Sequence, residues 1–267
     1  MLIDPFSKRL LNSGKNNKPI ALMYHSISNK NSQLKSPWSI SLQQFIQHLD
    51  LLQDYGWTTV CSSQLSDPID QLPKKTVVIT FDDGYADNYQ AFEELVKRNM
   101  LASWFIVSND LGKSPSWSDA DTTPSKLLET TQLIDMLAAG MEIGSHTLSH
   151  CRLTEASNEK IHAEVFESRC YLSDLLDSSI TSFAYPYGLY NETVLLATKS
   201  AGYQVAFTTS SGFGFIHNNP LESRRISIMS NDSLSTFARK ITFAANDVSW
   251  NTMAGYGLSR VKSHLGF

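Results

Sequence analysis

Short apolar runs alternate with longer amphipathic segments along most of the chain. The short runs are rich in β-branched and aromatic residues, which favour strands. They predict seven strands, over residues 20–24, 76–81, 103–107, 141–144, 181–184, 204–208 and 225–229. Apolar residues at helical spacing predict helices between these strands, over residues 88–98, 130–139, 155–176, 192–200 and 234–241, with one more that follows the first strand.

That first helix begins at Ser41, where Ser41 and Gln44 fit a capping box, and it stops at Gly56. The alternation of strand and helix predicts an α/β fold with a parallel sheet inside and helices outside. The number of strands indicates a closed (β/α) barrel of seven or eight strands. Residues 108–125 are polar and rich in turn formers, which predicts a long loop, and residues 244–267 fit no element.

Composition and charge narrow the class of protein. Hydrophobic residues make up 42% and charged residues 18% of the 267 residues, which excludes a disordered chain and a coiled coil. The formal net charge of −4 argues against nucleic acid as a partner, because phosphate binding favours a basic surface. No apolar run approaches the ~20 residues of a membrane span. Residues 1–18 lack the apolar core of a signal peptide, so we expect no transmembrane segment and a cytoplasmic location.

Carboxylates and histidines follow several of the predicted strands directly. His25 ends the first, Asp82 and Asp83 follow the second, and His146 and His150 follow the fourth. In barrels of this kind the active site lies at the carboxyl ends of the strands. We therefore expect these side chains to meet at one rim of the barrel.

Each group alone has a simpler explanation. Two aspartates and a glycine often form a turn, and two histidines four residues apart often share one face of a helix. Together, two histidines and one carboxylate make a three-ligand set for a divalent ion, with open positions for water and substrate. The second carboxylate remains available as a base.

Three segments carry a resemblance to a known family. Residues 80–84 read TFDDG, residues 146–150 read HTLSH and residues 185–188 read YPYG, each directly after a predicted strand. In this order and spacing they resemble the motifs of the polysaccharide deacetylase family, the NodB-homology carbohydrate esterases. Residues 22–25, LMYH, are similar to the branch of that family that acts on exopolysaccharides and on lipid-linked or surface glycans. The resemblance implies a distorted barrel with fewer than eight complete strands.

The resemblance also implies roles for individual residues. Asp83, His146 and His150 are expected to bind a divalent ion, zinc in the first place, with cobalt and nickel as alternatives. Asp82 is expected to be the general base that deprotonates the metal-bound water. The backbone N–H of Tyr187 is expected to stabilise the oxyanion, and Pro186 and Tyr187 to form part of the wall of the substrate groove.

The chain departs from the family pattern at two positions. The third motif usually opens with an arginine that pairs with the catalytic base, and Ala184 stands in its place. Arg225, or its neighbour Arg224, is our candidate for the missing arginine. We also expect Arg225 to lie on the substrate-binding side of the barrel. The family's last motif usually supplies a histidine as general acid, and Asn231 stands there. His25 is the candidate for that catalytic role, since it ends the first strand at the same rim.

These inferences predict a metal-dependent hydrolase that removes N-acetyl groups from amino-sugar units of a polysaccharide or a lipid-linked oligosaccharide. A non-catalytic glycan-binding module on the same fold, an O-acetyl esterase and a hydrolase of another amide bond remain alternatives. We expect an N-terminal extension over residues 1–19, the deacetylase domain over 20–243 and a C-terminal segment over 244–267. The sequence leaves the oligomeric state open.

Overall fold

The computed structural model describes residues 3–13, 18–28, 36–66, 68, 71–117, 126–250 and 252. The strands are β1 (Ile20–Tyr24), β2 (Ser26–Ser28), β3 (Ser39–Ser41), β4 (Thr58–Val60), β5 (Thr76–Phe81), β6 (Ser103–Ile106), β7 (Glu142–Ser145), β8 (Ser182–Ala184), β9 (Val205–Phe207) and β10 (Ile226–Ser227). The α-helices are α1 (Pro5–Asn12), α2 (Leu42–Asp54), α3 (Asn88–Lys97), α4 (Thr130–Ala138), α5 (Asn158–His162), α6 (Ser168–Leu176), α7 (Glu192–Ser200) and α8 (Leu234–Phe243).

The main sheet is parallel and curls into a barrel. Its strand order is β10-β1-β5-β6-β7-β8-β9, so neighbours from β5 to β9 follow one another along the chain, whereas β1 lies between β5 and β10. The short strand β4 pairs with the first half of β5, and β6 pairs with the second half. Next to β10, Ser223 bridges to Phe207 of β9, which draws the two ends of the sheet together. The predicted α/β fold with a distorted barrel is confirmed.

Alternate residues of the strands face two different cores. On β5, Val77 and Ile79 belong to the large cluster that packs under the helices, whereas Val78 belongs to a smaller cluster inside the barrel. Phe105 of β6 and Phe207 of β9 belong to the same inner cluster. Because side chains alternate between the two faces of a strand, the residue two positions beyond a buried inner residue also faces the interior. The same alternation places polar groups of the site inside the barrel.

Several predicted elements differ from those observed. The predicted helix 155–176 begins later than expected, because a 3-10 turn at Leu153–Glu155 precedes α5, and a π turn at Ala163–Glu167 joins α5 to α6 in one continuous helical segment. Strands β2, β3 and β4 are three residues each, too short to show a period-2 pattern. Ser41 caps α2 by accepting the N–H of Gln44, but the Gln44 side chain donates to the carbonyl of Asp232 instead of completing a capping box.

The first and last described α-helices pack together on the outside of the barrel. Helix α1 packs against α8, and Asp4 pairs with Arg239 at 3.0 Å. Much of the predicted C-terminal segment, and residues 118–125 of the predicted loop, lie outside the described residues. Within the described part of the chain, no helix is both long and apolar enough to cross a membrane.

Candidate metal centre and active site

Asp83, His146 and His150 converge at the carboxyl ends of β5 and β7. The Nε2 atom of His146 lies 3.5 Å from Oδ1 of Asp83, and that of His150 lies 3.4 Å from the same oxygen. The three candidate ligand atoms all lie within 4.8 Å of one another, and all three residues are buried. Two imidazole nitrogens and a carboxylate oxygen at this spacing are suited to one divalent ion.

Unusual backbone conformations aim these ligands inward. Asp83 and His150 both adopt left-handed backbone, with φ of 73° and 57° respectively, and Thr147 between the histidines has φ of 71°. Such conformations are costly for residues other than glycine and concentrate at functional sites. The Thr147 hydroxyl accepts the N–H of His150 at 2.9 Å, which closes the turn between the two histidines.

The orientation of His146 is fixed by a hydrogen bond on its far side. Its Nδ1 lies 2.7 Å from the carbonyl oxygen of Ala184 at the end of β8. A carbonyl oxygen only accepts, so Nδ1 carries the proton and Nε2 presents its lone pair towards Asp83. Metal-binding histidines are commonly oriented in this way. The His150 ring is held differently, between Trp117 and Tyr187, with both ring centroids at 4.7 Å.

The cluster has the charge pattern of a cation site. Asp83 Oδ1 is buried and has no hydrogen-bond partner among the described residues. Burial, together with the neighbouring Asp82 charge, raises the pKa of Asp83 to about 8. Burial also lowers the pKa of both His146 and His150 below the ordinary value. An orphaned carboxylate oxygen that faces two neutral imidazoles fits a divalent ion, which would satisfy all three groups at once.

This arrangement predicts an unusual pH dependence for the metal-free protein. The folded pKa of Asp83, about 8, lies above its unfolded value, which is ~3.9. The folded state therefore holds an extra proton between these values, and the free energy of unfolding falls as pH rises through that range. The histidines have lowered pKa values and act in the opposite direction, but only below ~6.5.

We therefore expect the stability of the chelator-treated protein to fall from about pH 6.5 to about pH 8. Added zinc should raise the melting temperature most at the alkaline end, because the carboxylate is then neutralised by the ion. Thermal unfolding at a series of pH values, with chelator and with zinc, measures both effects. The variant Asp83→Asn serves as the control and should show no fall over this interval. A metal-free stability that is flat or rising between these pH values would contradict the assignment.

Asp82 forms a buried, two-pronged ion pair with Arg225. The two terminal nitrogens of Arg225 lie 2.6 Å and 2.8 Å from Oδ1 and Oδ2 of Asp82. Burial opposes ionisation of Asp82, but the charge and hydrogen bonds of Arg225 outweigh it and lower the pKa of Asp82 to about 2. Asp82 is therefore ionised at neutral pH, and its orientation is fixed.

Arg225 reaches this position from the start of β10, which is separated from β5 by one strand, β1. It precedes β10 and lies inside the barrel against the rings of Phe105 and Phe207, with its Nε donating to the carbonyl of Thr208 at 3.0 Å. The side chain is 0% exposed. Arg225 thus lies beside Asp82, where the arginine missing at Ala184 was expected to pair, and its burial in this structure leaves its assignment as a substrate-binding residue a prediction. Arg224 packs instead against Gly212.

His25 lies at the same rim, directly after β1. Its carbonyl accepts the side-chain N–H of Asn88 at 2.7 Å, and its ring packs against Trp38 with centroids 4.9 Å apart. Burial is the main cause that lowers the pKa of His25 to about 4, although the Asp82 charge opposes the shift. The imidazole is therefore neutral in the resting site. Trp38, whose ring packs against this histidine, is 38% exposed.

The remaining predicted residues occupy the third motif and the last strand. Pro186 and Tyr187 form a 3-10 turn after β8, with left-handed backbone at Tyr187. The guanidinium of Arg152 lies 4.1 Å above the Tyr187 ring. Asn231 is exposed in a turn after β10. It contributes no titratable group there, and within the described ranges His25 is the histidine at the rim outside the metal cluster.

Sequence reasoning missed two groups that support the site. The Glu164 side chain is buried against residues 148 and 149, between the two histidines. Asp87, two residues beyond Tyr85, accepts the hydroxyl of Ser26 at 2.6 Å and so ties α3 to the segment after His25. Asp87 and Asn88 follow the TFDDG segment closely, and that proximity is a usable signal. Glu164 falls within a predicted helix and carries no such signal.

Comparison with known proteins places these residues in a family. The family model described as polysaccharide deacetylase matches residues 70–206, which include the carboxylate pair, both histidines and the third motif. The Bacillus subtilis protein YxkH, which bears the name of a polysaccharide deacetylase, is 34% identical over 195 residues. That alignment covers 72% of this chain and 64% of YxkH, so the chain spans less than two thirds of that relative.

Two further proteins extend the comparison. The poly-beta-1,6-N-acetyl-D-glucosamine N-deacetylase of Staphylococcus epidermidis is 26% identical over 216 residues, 72% of each chain. The structure of the Streptococcus pyogenes deacetylase PplD in complex with acetate superposes with a TM-score of 0.72. It is 27% identical and covers 84% of this chain and 98% of PplD. The described fold is therefore shared with solved deacetylases over most of its length.

Proposed function

Because the chain belongs to the polysaccharide deacetylase family, we propose that it is a metal-dependent hydrolase that removes N-acetyl groups from amino-sugar units of a glycan. The observation that carries the proposal is the three-ligand cluster of Asp83, His146 and His150 directly beside the ion pair of Asp82 and Arg225. A glycan-binding module has no need of a buried carboxylate held ionised at the edge of a cation site.

The proposed roles follow from the chemistry of each group. A divalent ion held by Asp83, His146 and His150 would supply a Lewis acid, which makes water more acidic and polarises a carbonyl group. Asp82 accepts the proton of the attacking water. A carboxylate with a pKa of about 2 is a weak base, so the acidity of the water has to come from the cation. The Tyr187 N–H is the proposed donor to the oxyanion of the tetrahedral intermediate.

His25 is the proposed donor of a proton to the leaving nitrogen. Its low pKa makes it neutral before reaction, so it has to take up a proton from solvent before it donates one; negative charge that develops on the reacting centre favours this uptake. The proton that Asp82 accepts from water returns to solvent. Amide hydrolysis depends on such a donor because an amine anion is a very poor leaving group. An activated ester, such as an aryl acetate, has a leaving group that departs without a proton.

The variant His25→Gln should therefore separate the two kinds of substrate. We expect acetate release from an N-acetylated oligosaccharide to fall by about 10²–10⁴-fold, with a much smaller effect on hydrolysis of an aryl acetate. Steady-state assays on both substrates with the same zinc-loaded preparation measure the ratio. As a control, His162→Gln changes an exposed histidine on α5 and should alter neither rate. An equal loss on both substrates would assign His25 to another role.

The sugar is proposed from the relatives and from the rim. Because relatives are named as N-deacetylases of poly-β-1,6-N-acetyl-D-glucosamine, a β-1,6-linked N-acetylglucosamine oligomer is the first substrate to test. Lipid-linked oligosaccharides that contain the same sugar form the second group. The half-exposed Trp38 beside His25 offers an apolar face on which a sugar ring can stack.

A panel of acetylated glycans tests this proposal. Acetate release and the appearance of free amine should accompany each other on N-acetylated oligomers in the presence of zinc. Release of acetate from O-acetylated glycans with no amine formed would instead identify an esterase. Binding of acetylated oligomers without release of acetate, with zinc or cobalt bound, would indicate a glycan-binding module.

A further inference from the structure

The turn between the two histidines is held by a carboxylate from another part of the chain. Glu164 is 0% exposed, and its Oε2 accepts the backbone N–H groups of Leu148 and Ser149, both at 2.9 Å. Its Oε1 accepts the hydroxyl of Ser149. Lys160, one helical turn earlier, places its Nζ 2.7 Å from the same oxygen. One side chain therefore satisfies two consecutive backbone donors and a hydroxyl in a segment that lies between two metal-ligand candidates.

The side chain of Glu164 projects from a π turn that joins α5 to α6. Glu164 belongs to the π turn at Ala163–Glu167, which contains one residue more per turn than an α-helix. Glu164 and Val165 are buried, whereas Glu167 at the end of the turn is exposed. Such turns inside helices are frequent at functional sites. The π turn thus contains the carboxylate that accepts hydrogen bonds from residues 148 and 149.

We propose that Glu164 is a positioning residue for the metal centre. It fixes residues 147–149, so that the turn keeps the left-handed conformation of Thr147 and His150 and directs both histidine Nε2 atoms towards Asp83. Without it, the two N–H groups lose their acceptor, and nothing else in the described contacts of Leu148 and Ser149 replaces it. This inference rests on the proposed function in one respect, since it requires that the two histidines bind a cation.

Zinc affinity is the measurement that isolates this role. Metal-stripped wild type, Glu164→Ala and Glu164→Gln are titrated with zinc in competition with a chromophoric chelator. Glu164→Ala should weaken zinc binding by about 10–100-fold, the effect typical of losing a group that orients a ligand. Glu164→Gln keeps the shape and an acceptor for the N–H groups, so its affinity should remain nearer to that of wild type. Glu167→Ala, which removes an exposed carboxylate from the same turn, is the matched control and should bind zinc normally.

These measurements distinguish a role of Glu164 in positioning the metal ligands from a role in the stability of the fold alone. A folded Glu164→Ala protein with wild-type zinc affinity would overturn the proposal, even if its melting temperature were lower. If Glu164→Ala fails to fold, Glu164→Asp replaces it: this variant keeps the charge but loses reach, and should bind zinc more weakly than Glu164→Gln. Equal affinities for these two variants would also overturn the proposal. If zinc-loaded wild type releases no acetate, the proposed function fails, but the zinc affinities still decide the role of Glu164.

Discussion

Replacing Asp82 by asparagine should reduce acetate release by about 10²–10⁴-fold, the usual contribution of a general base, while the protein still binds zinc. Asparagine has the shape of aspartate but does not accept a proton from water. Its amide oxygen still accepts a hydrogen bond from Arg225, so part of the contact between these two side chains is kept. The three candidate ligands Asp83, His146 and His150 are unchanged.

The neighbouring carboxylate provides the matched comparison. Asp83→Asn should lose both turnover and tight zinc binding, because its oxygen faces both histidine Nε2 atoms. Zinc titration and acetate release, measured on the same preparations, compare the two variants directly. If Asp82→Asn kept its turnover, Asp82 would not be the base. If it lost zinc to the same extent as Asp83→Asn, the separation of base from ligand would be wrong.

Removal of Arg225 should have the largest effect on stability. Arg225→Met leaves the Asp82 charge buried without its partner, and breaking a buried pair in this way costs about 3–5 kcal/mol. The wild-type pKa of about 2 means that Asp82 stabilises the fold above its unfolded pKa, and this stabilisation is lost as pH falls through about 2. In the variant, burial is no longer opposed by Arg225, so the pKa of Asp82 rises.

That shift should be visible in catalysis as well as in unfolding. The acid limb of kcat/KM should move to higher pH in Arg225→Met, because Asp82 has to be ionised to act as a base. Denaturant unfolding gives the loss of stability, and a pH–rate profile gives the shift. Arg224→Met, at the adjacent arginine that packs against Gly212, is the control and should leave the acid limb in place.

A double variant distinguishes the ion pair from general packing. Asp82→Asn combined with Arg225→Met removes both charges, so it should be more stable than Arg225→Met alone. If the double variant were less stable by the sum of the two single losses, the two side chains would not be coupled. An unchanged acid limb in Arg225→Met would show that Arg225 does not control the ionisation of Asp82.

Two strands that the sequence predicted well are buried on both faces. Strands β1 and β5 are continuous apolar runs, and their observed bounds equal the predicted ones. Helix α7 also begins and ends where predicted, because Asn191 caps it and Gly202 follows it. Strands β2 and β3 pair only with each other, and three residues give no period that a pattern could detect. Tertiary contacts alone establish such strands.

The site also contains a pairing that the sequence predicted and a residue that it did not. The pairing of Arg225 with Asp82 was expected from the missing arginine at Ala184, and the two side chains do meet. Glu164 was not predicted, because the apolar periodicity of residues 155–176 continues through the π turn and does not indicate that Glu164 is buried. Its partners are backbone N–H groups, which have no signature in the sequence. The roles of Asp82, His25 and Tyr187 in turnover remain predictions.

The most direct test is a zinc titration of the metal-stripped protein, followed by acetate release from a β-1,6-linked N-acetylglucosamine oligomer. We expect no release without metal, a rise in proportion to bound zinc and a plateau when the cluster of Asp83, His146 and His150 is filled. Acetate release that is independent of added metal would contradict it. So would a protein that binds zinc tightly at this cluster and releases no acetate from any N-acetylated glycan.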